Sequence, residues 1–531
     1  MFKMAFIDIH TNNLSRQLRN AGTVLDNWVY VPGTAITGDW KKPYAFQSLE
    51  DFQKVCGTRS PEGSITYEYV AGLLAAGLPV LFRRIAYVNQ ENVTDEQIAD
   101  GTAEGVRKAQ LVINHTNADT GITSDDVKIS EKYGGTFGND LNITLKISDG
   151  VAYYIEVYEK ATLLEKKKIV QLTSSDTDPV EINQKIINGL LALNMERIDI
   201  EVLELDPAKF ALEPFTNKYL LGGADIDEGL VPAEIVGSYD YIKDKILYQP
   251  KFLTSGGYTD EDFENATPIA NKMKEISKIR QDCRALIDLP IGTPADEQQE
   301  LAQKVSYQQL SSSETIPSAS MCAPWVYMQV GNEQIWMPPS FAYLTLVGSD
   351  VSKGGKAYTP KAGLTSGTLT NIIKPEFEIG STLSERWQED GKVQINPIMR
   401  LQSGNYVIAG NSTLLQTDTE GYEINAFEES SADLTVIEIR RFIFNLATEL
   451  QYQYNSVEAF ETFSLRAAKF FNVMISEGSM SDYDIINIST DDEPRTLKLQ
   501  IDVYLTPTIK KIEIFLNVAY GSIEMSNGGV E

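Results

Sequence analysis

Histidine is nearly absent from this chain: His10 and His115 are the two among 531 residues. A Ser-His-Asp, Cys-His or histidine-based zinc site would have to use one of them, and neither sits in a motif that supplies partners. Cysteine is almost as scarce. Cys56, Cys283 and Cys322 match no metal spacing and no disulfide framework, which points to synthesis in a reducing compartment. No stretch approaches about 18 consecutive apolar residues, so no membrane span is expected. The opening MFKMAFIDIH breaks its apolar run at Asp8, unlike a signal peptide.

Positive charge is also in short supply. Lys and Arg number 46 against 74 Asp and Glu, a net charge of −28. That balance argues against nucleic acid or an anionic membrane as the main partner. Solubility is the plain reading of the acidity; the sharper one is like charge holding surfaces apart until specific contacts form.

Nucleotide motifs are missing too. Residues 348–356 end in Gly-Gly-Lys, but Asp350 stands where a phosphate loop needs a glycine, and Ala357 replaces the metal-binding hydroxyl. Residues 134–138 lack the G-x-G-x-x-G order and precede a strand, so they read as a tight turn. No EF-hand spacing occurs. Lys166-Lys167-Lys168, the longest basic run, reads as a solvated face. We therefore expect no enzyme, no cofactor and no metal site.

What is present is material for several cores: 42% hydrophobic residues in a length that suggests about three or four domains. Residues 1–30 read as an arm, with a short strand at 2–9 that needs a partner sheet and a polar linker at 11–19. Ser48 can cap a helix that Gly57 ends. A second helix, 66–77, carries Tyr67, Val70, Ala71 and Leu74 at helical spacing, and Leu78 continues the stripe; a buried strand follows at 80–85. Residues 91–230 are β-rich, with alternation at 110–114, 142–148 and 153–158. Residues 231–405 mix helix and strand, with a helix at 268–285, a buried strand at 285–289 and an extended loop at 347–366. Further on, Ile439, Phe442, Ile443, Leu446 and Leu450 form one helical stripe, and Phe460, Phe463, Ala467, Phe470 and Met474 a second, so the two predict a helical hairpin. Leu497, Leu499, Ile501, Val503 and Leu505 then alternate as a strand, and the pattern restarts with Ile512, Ile514, Leu516 and Val518. Arg440-Arg441 either pairs with Glu438 or Glu449 or faces an acidic partner.

Several segments resemble the tail sheath protein of contractile bacteriophages, in the family's order. They are Tyr133-Gly134-Gly135-Thr136-Phe137-Gly138-Asn139-Asp140-Leu141, Leu220-Leu221-Gly222-Gly223-Ala224-Asp225 and the Arg280-x-Asp282 to Asp288-x-Pro290 stretch. Ala323-Pro324-Trp325-Val326, Met337-Pro338-Pro339-Ser340, Ile395-Asn396-Pro397-Ile398 and Gly410-Asn411-Ser412-Thr413-Leu414 follow. Phe341 departs from the usual Gly, and Ser412 from the common Arg.

The resemblance implies an α/β and α+β multidomain fold. An inner α/β domain of subtilisin-like topology, without a triad, would be joined to a C-terminal helical-hairpin and β domain, with an inserted outer β-rich domain and extended terminal arms. The expected divisions are 1–30 (arm), 31–90 (N-terminal part of the inner domain), 91–230 (outer), 231–405 (central), 406–508 (C-terminal) and 509–531 (arm). The implied role is a sheath subunit stacked in hexameric rings around a tail tube, contracting to drive the tube through the host envelope for genome ejection. Its partners would be further copies of itself, the tail tube protein, and the baseplate and tail terminator proteins, with no nucleic acid and no membrane insertion. The place would be the virion tail, assembled in the bacterial host cytoplasm. Sheaths of R-type bacteriocins and extracellular injection systems are the near alternative; a degenerate hydrolase and a capsid subunit are remoter ones. Phe2, Met4, Phe6, Ile512, Ile514, Leu516 and Val518 would supply strands to neighbouring copies, Leu497, Leu499, Ile501 and Val503 would accept them, and Arg440 and Arg441 would face the tube.

Overall fold

A computed structural model of the chain describes residues 27–90, 92–100, 102–116, 123–260, 262–309, 314–389, 391–416, 425–450, 454, 456–489 and 497–509. Phe2, Met4, Phe6, His10, the linker 11–19 and Ile512, Ile514, Leu516 and Val518 lie outside the described residues.

A nine-stranded sheet forms the centre. Its middle is parallel, in the spatial order Val80–Arg84, Val29–Gly33, Phe252–Leu253, Arg284–Ile287, Ala319–Ala323 and Asn396–Arg400. Antiparallel strands close both sides: Tyr44–Phe46 at one, Tyr406–Ile408 and then Thr368–Leu369 at the other. Parallel strands are covered on both faces, which is why these read as short, continuously apolar runs. Val29, Val31, Phe82 and Leu286 point to one face, under the helices Thr66–Ala75 and Pro339–Ser352. Tyr30, Leu81, Ala285 and Ile287 point to the other, under Val231–Ser238, Pro268–Arg280 and Gln298–Val305. The first of these cores runs on into the helices Ser430–Leu450 and Val457–Ser476.

Between Tyr87 and Ala224 the chain builds a separate β-rich body with its own core. Gln110–Thr116, Thr123–Glu131 and Ile198–Val202 form one sheet; Phe215–Tyr219, Leu141–Ser148, Ala152–Glu159 and Thr162–Gln171 form another. Helix Pro179–Leu191 packs against strands of both.

Three of the helices that cover the central sheet differ from the sequence reading. The helix expected over 268–285 stops at Arg280, because Gln281 turns left-handed at φ 60° and Arg280 swings inward. There Arg280 donates to the carbonyls of Ile242 and Tyr248 and holds Asp282 at 2.9 Å. Residues 347–352, expected as loop, complete the helix Pro339–Ser352, started by Pro339 in its first turn. In the helix Thr66–Ala75 the fully buried face is Thr66, Tyr69, Val70 and Leu73, with Tyr67 and Leu74 at its margin. The helix is clasped from two sides: Gly72 lies so close to the Phe341 ring that a Cβ would collide with it.

Candidate assembly interface

The C-terminal helices form the expected hairpin. Ser430–Leu450 turns Leu434, Ile437, Ile439 and Leu446 inward, and Val457–Ser476 answers with Phe463, Ala467, Phe471 and Met474. Ser456 caps the second helix by accepting from Ala459 N, and Gly478, at φ 81°, lets the chain reverse after it. Phe442 and Phe470 stack across the hairpin with ring centroids 4.0 Å apart, and Phe471 extends the contact to Tyr483 at 4.9 Å.

Tyr483 lies on Met480–Asn487, a strand the sequence reading missed, which pairs antiparallel with Leu499–Leu505. Its signal is faint, since Tyr483 and Ile485 alternate with exposed Asp482, Asp484 and Ile486. Leu499, Ile501 and Val503 lie with Leu505 against the hairpin core, and Leu497 precedes the strand. The solvent face sets Asp484 opposite Asp502, with Asp482 nearby. This sheet has two strands, and among the described residues nothing pairs with either outer edge. Unpaired edges of this kind are templates for strand addition.

Both ends of the described chain are rooted at one helix. Lys251 donates to Asn27 at 2.9 Å and pairs with buried Glu438 of Ser430–Leu450. Burial pushes the Glu438 carboxyl up, but Lys251 and Arg441 bring it below the usual carboxylate range. At the other end Thr508 donates to Glu429 through its N, at 3.1 Å, and through Oγ1, at 2.8 Å. Glu429 immediately precedes that helix, so at 1.5 Å of rise per residue the two roots are about 14 Å apart along its axis. Asn27 and Thr508 are therefore fixed points, and Thr506–Pro507–Thr508 is tied down as far as Thr508.

The two arginines part company. Arg441 is buried and donates to the carbonyls of Gln249 (3.0 Å), Pro250 and Asp282 (both 3.2 Å), so it cannot face a partner. Arg440 is exposed, beside a cleft of about 170 Å³ that Lys245, Gln281, Phe444 and Asn445 also line. Glu438 and Glu449 take Lys251 and Arg466 as ion-pair partners.

The remaining candidates are accounted for by packing. His115 Nδ1 lies 2.7 Å from Asp126 in the outer body. The Gly134-Gly135 turn is filled by the Arg84 guanidinium, which donates to the carbonyls of Ala35, Gly38, Tyr133 and Gly134. Asp350 pairs with Lys361 at the end of a helix. The three cysteines are buried and unpaired; burial pushes the thiols of Cys56 and Cys283 up to about 12. Among the described residues no cluster of His, Cys, Asp and Glu is placed to hold a metal, and no helix is long and apolar enough to cross a membrane.

No protein-family model matches the chain, and no curated protein does. Solved structures do match. The sheath tail protein of Listeria innocua aligns over 93% of this chain and 96% of its own, with a TM-score of 0.60 at 11% identity. That of Desulfitobacterium hafniense aligns over 94% and 100%, with a TM-score of 0.55 at 10% identity. The chain has the fold of the sheath tail proteins.

Within this sheath fold, the motifs quoted above meet in pairs. Asn139 and Gly223 exchange two hydrogen bonds of 2.9 Å, and Thr136 donates its N and Oγ1 to Asp225 at 2.9 and 2.7 Å. Asp288 accepts from Ser340 N at 2.9 Å and from its hydroxyl, while Trp325 Nε1 donates to Leu289 O at 2.7 Å. Asn396 and Ser412 exchange two bonds of 2.8 Å. Arg284 reaches Asp433 and the Ser430 carbonyl, both at 2.6 Å, fixing the first hairpin helix to the central sheet. These residues lock the fold together.

Proposed function

We propose that the chain is the structural subunit of a contractile tail sheath. It polymerises as stacked hexameric rings around a tail tube and contracts to drive the tube through a host envelope for genome ejection. Its neighbours are further copies of itself, the tube, and the baseplate and terminator proteins at the ends. It works in the virion tail after assembly in the bacterial cytoplasm, without catalysis, cofactor, nucleic acid or membrane insertion. The likeness of the central domain to subtilisin is one of topology, since residues 231–531 contain no histidine.

The observation that carries this reading is the two-stranded sheet at Met480–Asn487 and Leu499–Leu505, whose outer edges are unpaired among the described residues. Phe2, Met4 and Phe6 of one copy and Ile512, Ile514, Leu516 and Val518 of another complete it, pairing beside Leu499, Ile501 and Val503. Main-chain bonds give the link and alternating side chains set its register. Contraction then draws on surface buried between copies. At roughly 25 cal/mol per Å², about 200 Å² of extra apolar burial per copy is worth on the order of 5 kcal/mol.

Arg440, with Lys245, faces the tube. Reversing both charges (Arg440→Glu with Lys245→Glu) weakens assembly on the tube while leaving thermal stability near that of the parent; an equal loss of both would assign these residues to folding. The principal test removes residues 1–10. The shortened chain remains a folded monomer and gives no helical cylinders in negative-stain electron micrographs, whereas normal cylinders would refute strand exchange.

A further inference from the structure

Positive charge is scarce in this chain, yet one surface groove gathers it. The groove, of about 550 Å³, is lined by four cations, Lys54, Lys132, Lys167 and Arg197, against one acid, Glu196. It lies on the seam between the two bodies. Lys54 belongs to the helix Leu49–Cys56 beside the central sheet, and the other three cations belong to the β-rich body. Arg197 donates to the Lys54 carbonyl and so joins the two walls. Lys54 pairs with Glu50 at 2.8 Å and Lys167 with Glu165 at 3.1 Å. Lys132 donates to the Met195 carbonyl at 3.1 Å. Among the described residues no carboxylate forms an ion pair with Lys132 or Arg197.

The chain as a whole has the opposite sign, with 74 acids to 46 bases. On the outer body alone, Asp149, Glu181 and Glu213 are exposed and form no ion pair among the described residues. A second copy therefore brings carboxylates with it, and in this groove they meet cations that have no carboxylate of their own. We propose that the groove docks the acidic surface of a second copy of this chain, whose carboxylates pair with Lys132 and Arg197. The inference rests on the reading of the chain as a self-assembling sheath subunit. Val55 and the buried Met195 lie among the cations, so pairs formed there are drier than fully exposed ones and worth more. A net charge of −28 pushes copies apart elsewhere, so a basic groove selects how two copies meet. With a wall from each body, it lets a docked copy hold both bodies of its neighbour at once.

The test compares the full parent chain with two double variants. Lys132→Glu with Arg197→Glu reverses the groove; Lys168→Glu with Lys353→Glu makes the same change of charge at two exposed lysines outside it. The lowest chain concentration that gives cylinders in negative stain is expected to rise about tenfold or more in the groove variant, and by about twofold at most in the control. Both groove side chains also hold carbonyls, so a second measurement works on the parent polymer alone. A water-soluble carbodiimide, which joins amines to touching carboxylates, is applied to cylinders built from mixed isotope-labelled and unlabelled chains. Peptide mass spectrometry is expected to find Lys132 joined to an acid of another copy. Unchanged cylinder formation by the groove variant overturns this inference and leaves the sheath reading standing, as does a Lys132 joined only within its own copy or not at all. A parent chain that gives no cylinders overturns both.

Discussion

Asp288 shows what a single buried carboxyl does in this fold. It ends a central strand, accepts from Ser340 at the start of the helix Pro339–Ser352, and burial pushes its pKa up to about 7. In the unfolded chain the same group ionises near 4. Between about pH 4 and 7 the unfolded chain has released a proton that the folded one keeps, so this group's contribution to stability falls as pH rises, by on the order of 4 kcal/mol across the window. Asp288→Asn flattens that part of a plot of urea midpoint against pH; an unchanged slope would place the dependence elsewhere. Gly135 is the second residue-level test. At φ 122°, with Ile36 O against it, an added Cβ has no room and the backbone disfavours it. Gly135→Ala should cost about 2 kcal/mol or more in chemical denaturation. Both residues stand out in the sequence as parts of motifs. Ser340 stands out too, as part of a motif, but that Ile36, Arg84 and Ser340 meet these residues does not, because tertiary packing that no local pattern encodes brings them together.

At the scale of elements, the hairpin was legible because both its helices keep an apolar stripe and punctuate it with Ser456 and Gly478. The strand Met480–Asn487 was not. Three of its eight residues are acids or an exposed apolar group, and it is held by one partner strand and the Phe471–Tyr483 contact. The helix Pro339–Ser352 was half hidden for another reason: its C-terminal turn is Gly-Ser-Asp-Val-Ser, a loop-like composition that packing against Thr66–Ala75 overrides. The aromatic stack gives a prediction here. Phe442→Ala removes the face-to-face partner of Phe470 and should lower unfolding free energy by about 2 kcal/mol, less than for a fully buried ring. Because the strand pair rests on the same aromatic ladder, polymer yield should fall further than monomer stability alone accounts for. A loss confined to stability would mean that the hairpin does not position the strands.

At the scale of the whole molecule, a central sheet with two covered faces shares one core with the terminal hairpin, while the β-rich body keeps a core of its own. The locks between the two bodies, Arg84 with the Gly134 carbonyl and Thr37 with Glu131, fix the outer body to the inner one. In the proposed sheath, motion during contraction falls to the links between copies and leaves each copy's interior intact. The proposed links use residues 1–26 and 510–531; the described residues next to them are held by Lys251 at Asn27 and by Glu429 at Thr508, on either side of one helix start. The sequence made the candidate arms visible by their alternation. It could not place their roots, because Lys251 and Glu429 lie far along the chain from the ends they hold.

The central claim is that neighbouring copies complete the open terminal sheet. A cryo-electron microscopy map of the assembled polymer, resolved well enough to trace strands, reads this directly. The account predicts a sheet of more than two strands in each copy, the additional strands beside Met480–Asn487 and Leu499–Leu505 tracing to residues 1–26 and 510–531 of adjacent copies. Edges left bare, or filled by the same copy's own ends, would contradict it.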